Sequence, residues 1–146
     1  MLIQLLVGAA VSALNIILHA AVTMIAIRIA RARSRRNASR PLLYLAGVMI
    51  ATSLVLMAAH TLEVFVWSMA YAIVNAAPDD ANLVYFAFVN YTTLGYGDVT
   101  PLANWRLLGP MTAMNGVLMF GWSTALIFEV LIKAISQHEA SRSVDL

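Results

Sequence analysis

Cysteine is absent from the 146 residues, so disulfides and thiolate chemistry are excluded. Charge is scarce. Asp, Glu, Lys and Arg make up 11% of the chain, against 62% hydrophobic residues, and the mean hydropathy is +0.82. A soluble domain of this length cannot hide so much apolar surface, so the solvent of this chain is lipid. There is no glycine-rich phosphate loop, zinc cluster or nucleophile triad, and no catalysis is expected. The formal net charge of +2 says little by itself, but its placement is informative. Six arginines fall between Arg28 and Arg40, far from the acidic pair Asp79-Asp80. Beside an apolar helix such a basic run marks topology rather than a nucleic-acid footprint, and no nucleic-acid partner is expected.

The pattern predicts an all-α membrane protein. An N-terminal transmembrane helix occupies residues 1–31, and a basic cytoplasmic linker occupies 32–41. An outer helix at 42–76 leads into the turn Ala77-Pro78-Asp79-Asp80, where Asp79 or Asp80 is placed to cap the next helix. Residues 82–92 are too few to span a bilayer, so they read as a re-entrant helix, succeeded by a loop at 93–98. An inner helix covers 104–136, with Pro110 kinking its outer part, and a short polar tail covers 137–146. The arginines place the linker in the cytoplasm, the N-terminus and the Asp79-Asp80 turn outside, and the C-terminus inside. The first apolar stretch lacks a charged n-region and is too long for a signal peptide, so a retained helix is expected. Only Arg28 lies within an apolar stretch, which argues against a voltage sensor; Arg31–Arg40 suit contact with anionic headgroups.

Ser12, Asn15, His19 and Thr23 recur at helical spacing, a polar seam hydrogen-bonded to a neighbouring helix and assisted by the small residues Gly8 and Ala9. His60 and Glu63 lie three apart in the second span. An ionised carboxylate at that depth needs a partner, and a His60–Glu63 pair or a bond to the re-entrant helix would supply one. The two are a candidate filter-supporting or pH-sensing pair. Glu129 is placed to face Lys133 one turn later.

The most specific feature is Thr92-Thr93-Leu94-Gly95-Tyr96-Gly97-Asp98, between two long apolar segments. Consecutive backbone carbonyls replace the hydration oxygens of a potassium ion if all turn toward one axis. Glycine at alternate positions removes the steric obstacle, because it accepts positive φ. Gly95 and Gly97 alternate with Leu94 and Tyr96 in this way, and Thr93 adds a hydroxyl. The segment resembles the selectivity filter of the tetrameric potassium channel family, T-V-G-Y-G, in a small bacterial-type subunit with an extra N-terminal helix.

That resemblance implies a pore domain at 42–136, assembled as a four-fold symmetric homotetramer in a bacterial inner membrane. Thr93, Leu94, Gly95, Tyr96 and Gly97 would form the filter, with K+ held through Thr93, Leu94, Gly95 and Tyr96 as permeant ion and no cofactor. Thr92, Tyr85 and Asp98 would support it, the Tyr85 hydroxyl bonding Asp98 across the outer mouth. Gly116 and Gly121 resemble the family's gating hinge, although small residues also serve close helix packing; Asn115 and Met119 are candidates for the cavity wall. The chain departs from the pattern at Leu94, where valine or isoleucine is usual. A weakly selective cation channel and a non-conducting membrane scaffold are the alternatives.

Overall fold

The computed structural model describes residues 1–34 and 41–142. Four α-helices carry the fold: α1 (Leu2–Ser34), α2 (Pro41–Val74), α3 (Leu83–Tyr91) and α4 (Leu108–Arg142), with a 3-10 turn at Ala103–Trp105 before α4. No strand occurs among the described residues. Leu2–Arg28, Leu43–Val74 and Ala103–Lys133 are each long and apolar enough to cross a membrane. At 1.5 Å per residue, the nine residues of α3 reach only about 14 Å, half a bilayer core.

Local chemistry sets the ends. Pro41 opens α2 at the first helical position, where its missing N–H costs nothing. Asn75 closes it at φ +51°, donating from its N–H to Ala72 O at 3.3 Å while Ala76 N donates to Tyr71 O at 3.0 Å. This is a Schellman cap with asparagine in the left-handed position usually held by glycine. Asn82, not Asp79 or Asp80, caps α3: its side-chain oxygen accepts from Tyr85 N at 3.0 Å. The acidic pair sits instead in the Pro78–Ala81 turn, where Ala81 N reaches Pro78 O at 3.0 Å.

Several bounds differ from the sequence expectation. The helix α1 continues to Ser34 and α4 to Arg142, because the stretches past 31 and 136 hold good helix formers and no glycine or proline to stop them. Pro110 falls in the first turn of α4, where no helical hydrogen bond is lost and no kink is required. Residues 35–40 of the basic linker, with Arg35, Arg36 and Arg40, and residues 143–146 of the tail lie outside the described residues.

The helix α1 packs on α2 and α4, and α3 is wedged between α2 and α4. Trp67, Tyr71, Phe86, Tyr91, Leu108 and Met119 fill the junction. Three nearly dry aromatic residues from α2 and α3 meet there, with Trp67–Tyr71 ring centroids 5.9 Å apart and Tyr71–Phe86 4.9 Å. In the apolar 18-residue stretch that marks each spanning helix, only 17, 17 and 28% is buried within the chain. The remaining apolar faces are left for lipid or for other copies of the chain.

Candidate functional site

The loop leaving α3 is tied to the helix it has just left. The N–H of Thr93 donates to Asn90 O and that of Leu94 to Val89 O, both at 3.0 Å. Positive φ occurs at Thr93 (+61°), Gly95 (+61°) and Gly97 (+78°), and not at Leu94 or Tyr96 between them. Alternation of left- and right-handed residues turns successive carbonyls to the same side of the strand. Glycine accommodates this at 95 and 97; Thr93 does so with a Cβ, a local strain of about 1–3 kcal/mol that such sites retain for function. Crowding is not what selects glycine in the single chain. A Cβ at Gly95 would come no nearer than 3.9 Å to Thr93 O, and one at Gly97 would meet nothing within 4 Å. Leu94 and Tyr96 project from the chain at 53 and 67% exposure.

At the far end of the loop, the Tyr85 hydroxyl donates to Asp98 Oδ2 at 2.6 Å, and Val99 N donates to Asp98 Oδ1 at 3.1 Å. The tyrosine bond holds the Asp98 carboxyl below its ordinary range, and the same bond, to a carboxylate, pushes the Tyr85 phenol up. Leu102 N donates to Ala76 O at 2.8 Å, fastening the segment before α4 to the end of α2.

Behind the loop lies a buried polar cluster drawn from all four helices. Glu63 is fully buried. Its Oε1 accepts from His19 Nδ1 at 2.7 Å, and its Oε2 accepts from His60 Nδ1 at 3.2 Å and from the Tyr91 hydroxyl. His60 Nδ1 also lies 3.0 Å from the Tyr91 hydroxyl oxygen. Ser123 Oγ on α4 closes the circuit, 2.9 Å from His60 Nε2 and 3.3 Å from His19 Nε2. The structure thus places His60 beside Glu63 and joins both to α3. His19 and Tyr91 are the members that the sequence alone did not assign to the pair. The signals were present: His19 sits on the polar seam, and Tyr91 is a phenol in the short apolar stretch at 82–92, where a hydroxyl needs a partner. Donor atoms of His19, His60 and Glu63 lie within 4.8 Å of one another, a set that suits a transition metal. Each already has a protein partner, so the arrangement is complete as a hydrogen-bonded network.

The rest of the seam runs in the same direction. Asn15 Nδ2 donates to Asn115 Oδ1 at 3.0 Å and lies 3.3 Å from Glu63 O; Trp67 Nε1 donates to the same Asn115 oxygen at 2.9 Å. Gln4 Oε1 accepts from Leu107 N at 3.0 Å near the start of α4. Ser12 and Thr23 have buried hydroxyls without a protein partner.

Two expectations for α4 are corrected here. Asn115 is 2% exposed and Met119 is fully buried, so both face the interior of the subunit rather than a cavity wall. The amide of Asn115 is drawn inward by Trp67 and Asn15, and Met119 by the aromatic core. The uncovered stripe of α4 is Met114, Val117, Leu118 and Gly121, continued by Ala125 and Phe128 at helical spacing. The two glycines also part ways. Gly116 marks the closest approach of α4 to α3, where an added Cβ would overlap the Tyr91 carbonyl oxygen and lie 2.9 Å from its carbon; at Gly121 nothing lies within 4 Å. Toward the C-terminal end of α4, Lys133 pairs with Glu129 on the exposed surface.

A family model described as "Ion channel" matches residues 59–133, just over half of the chain. No curated protein and no solved structure matches the sequence.

Proposed function

The chain belongs to the ion channel family, integral membrane proteins that conduct ions passively, and within that family we propose that it is a homotetrameric, potassium-selective channel. The observation that carries this reading is the alternation of positive φ at Thr93, Gly95 and Gly97 within Thr92–Asp98. A strand in that conformation offers the carbonyls of Thr93, Leu94, Gly95 and Tyr96 to one side, as a dehydrated potassium ion requires. One chain supplies one such strand, and a closed carbonyl ring takes four. The exposure of Leu94 and Tyr96 in the single subunit leaves them for neighbouring copies to cover.

In this reading α3 is the pore helix. Its C-terminal end, which also anchors the loop through Val89 O and Asn90 O, points partial negative charge toward the waiting cation. Tyr85 and Asp98 brace the outer mouth. The stripe Met114, Val117, Leu118 and Gly121 lines the inner cavity, and Gly121 is the bending point, while Gly116 serves close packing on α3. The arginine run argues for a cytoplasmic linker at 32–41 and an external N-terminus, and the resemblance to small bacterial-type subunits argues for a bacterial inner membrane. K+ is the permeant ion, and no cofactor or catalysis is assigned.

The test is flux from liposomes holding purified protein. Reversal potentials should track the potassium gradient and ignore sodium. Equal weight for both ions means a weakly selective channel, and no flux from a correctly folded protein means a scaffold. Native mass measurement in lipid should return a tetramer as the conducting form.

A further inference from the structure

The matched residues begin at 59, so α1 lies outside the channel pattern, and nothing in the family match assigns it a role. The geometry points to one. We propose that His19 makes α1 a positioning element for the filter, acting through Glu63 and Tyr91, and that the network it completes responds to pH. The inference rests on the channel reading above.

The path is short and unbroken. His19 Nδ1 holds Glu63 Oε1 at 2.7 Å, the other carboxylate oxygen holds the Tyr91 hydroxyl, and Tyr91 is the last residue of α3. Two residues later comes Thr93, at φ +61° with its N–H bonded to Asn90 O. The carbonyl of Tyr91 is also the atom against which Gly116 seats α4. Motion of the Tyr91 ring therefore moves both the loop anchor and the α3–α4 contact. The carboxylate that fixes that ring is itself fixed from α1.

Proton counting adds the second element. A buried carboxylate only accepts and the Tyr91 hydroxyl gives it its one proton, so both Nδ1 atoms donate: His19 to Oε1, and His60 between Oε2 at 3.2 Å and the Tyr91 oxygen at 3.0 Å. Both Nε2 atoms then face Ser123 Oγ, at 3.3 and 2.9 Å. A hydroxyl has a single proton and can donate to only one of them. For the second contact to be a hydrogen bond, that Nε2 must carry its own proton, which makes one imidazole an imidazolium. With both contacts made, the cluster holds one positive charge beside one carboxylate, and a buried charge is tolerated when it is paired. The titratable groups facing one another here are His19 from α1, His60 and Glu63 from α2, and Tyr91 from α3; α4 brings only the neutral Ser123. Neutrality of the cluster thus depends on one exchangeable proton held between two histidines, the side chains whose ordinary titration falls between about pH 5 and 8. A further proton, on the carboxylate or the second imidazole, removes an acceptor or adds an unpaired charge and releases Tyr91. Acidification should therefore lower conduction.

The experiment compares full-length parent, His19→Ala, His19→Asn and Glu63→Gln in liposomes of one composition, reading cation flux at several pH values between 5 and 8. Asparagine places an amide N–H where histidine Nδ1–H stood but cannot take up a proton. Flux should fall about tenfold in His19→Ala, the worth of one charge-assisted hydrogen bond, with the preference for potassium unchanged. His19→Asn should recover most of the flux with a flattened pH profile, and Glu63→Gln should be low and flat. Amide exchange at residues 92–98, measured in parallel, should speed up in His19→Ala, a readout that stands even if no variant conducts. Parent-like flux, pH profile and exchange in His19→Ala overturn the proposal. So does a His19→Asn variant that keeps the parent's pH profile. A parent that conducts sodium as well as potassium overturns the selectivity reading instead, and leaves these comparisons intact.

Discussion

The Tyr85 hydroxyl and the Asp98 carboxylate meet at 2.6 Å across 13 residues of chain, joining the first turn of α3 to the far end of the glycine-alternating loop. Both partners are solvent-exposed in the single subunit, and both titrations are displaced by their shared bond. The loop is thus held at two ends. Val89 O and Asn90 O grip its start, and Tyr85 grips its finish.

The displaced titrations fix the pH window of this brace. Asp98 is lowered from 3.8 in the folded chain, so its contribution is complete above that value and is lost as pH falls through the depressed one. Tyr85 is raised from 10.0, so its contribution is complete below that value and is lost as pH rises through the raised one. Tyr85→Phe should lower the thermal midpoint of the assembled protein by the same amount at pH 5 and pH 8. The difference between variant and parent should shrink only in strong acid or strong base. A difference that varies between pH 5 and 8 would show that the stabilisation comes from another group.

Backbone sign, not space, is what glycine supplies in the loop. A residue with a Cβ at φ +61° costs about 1–2 kcal/mol, and in the proposed tetramer four copies would meet. Gly95→Ala should therefore abolish potassium-over-sodium selectivity although its Cβ has room in the single chain. Reversal potentials measured under opposed potassium and sodium gradients check this. Unchanged selectivity in Gly95→Ala would mean that these carbonyls are not where ions are sorted.

Much of the fold was legible because its signals are local. Three apolar runs of membrane length, a stretch too short to span and a glycine-alternating loop are each visible within a few tens of residues. The polar seam of α1 was legible as periodicity, but its partners were not. His19 meets Glu63 44 positions away and Ser123 104 positions away, and nothing in either neighbourhood encodes the pairing. Asn115 was misplaced for a related reason. A polar residue on an inner helix suits either a wet cavity or a buried amide network, and only the arrival of Trp67 and Asn15 on its oxygen decides between them. Caps were ambiguous too: Asp79, Asp80 and Asn82 are all good N-cap residues, and the helix start chose the last.

Asn115 gives a prediction about stability rather than conduction. Its side-chain oxygen satisfies the buried Trp67 indole N–H and the Asn15 amide together. Asn115→Leu has nearly the same size and accepts no hydrogen bond, leaving a buried donor unpaired at a cost of about 1–3 kcal/mol. The thermal midpoint should drop, while ion preference stays as in the parent. An unchanged midpoint would mean that Trp67 and Asn15 find other acceptors.

The two central glycines of α4 separate packing from bending. Gly116 touches the Tyr91 carbonyl so closely that a methyl group forces α4 away from α3, an overpacking penalty of about 1–3 kcal/mol. Because Tyr91 ends the helix that carries the loop, Gly116→Ala should lower both assembly stability and conduction. Gly121 has open space around it and lies on the uncovered stripe. Alanine there removes the helix penalty of glycine, about 1 kcal/mol, and stiffens α4 against bending. Gly121→Ala should therefore hold or raise the thermal midpoint while reducing the fraction of time that the pore is open. Single-channel recording beside thermal unfolding of the same preparations reads both quantities. If Gly121→Ala gates like the parent, α4 does not bend there; if Gly116→Ala is as stable as the parent, α3 and α4 are not seated through this contact.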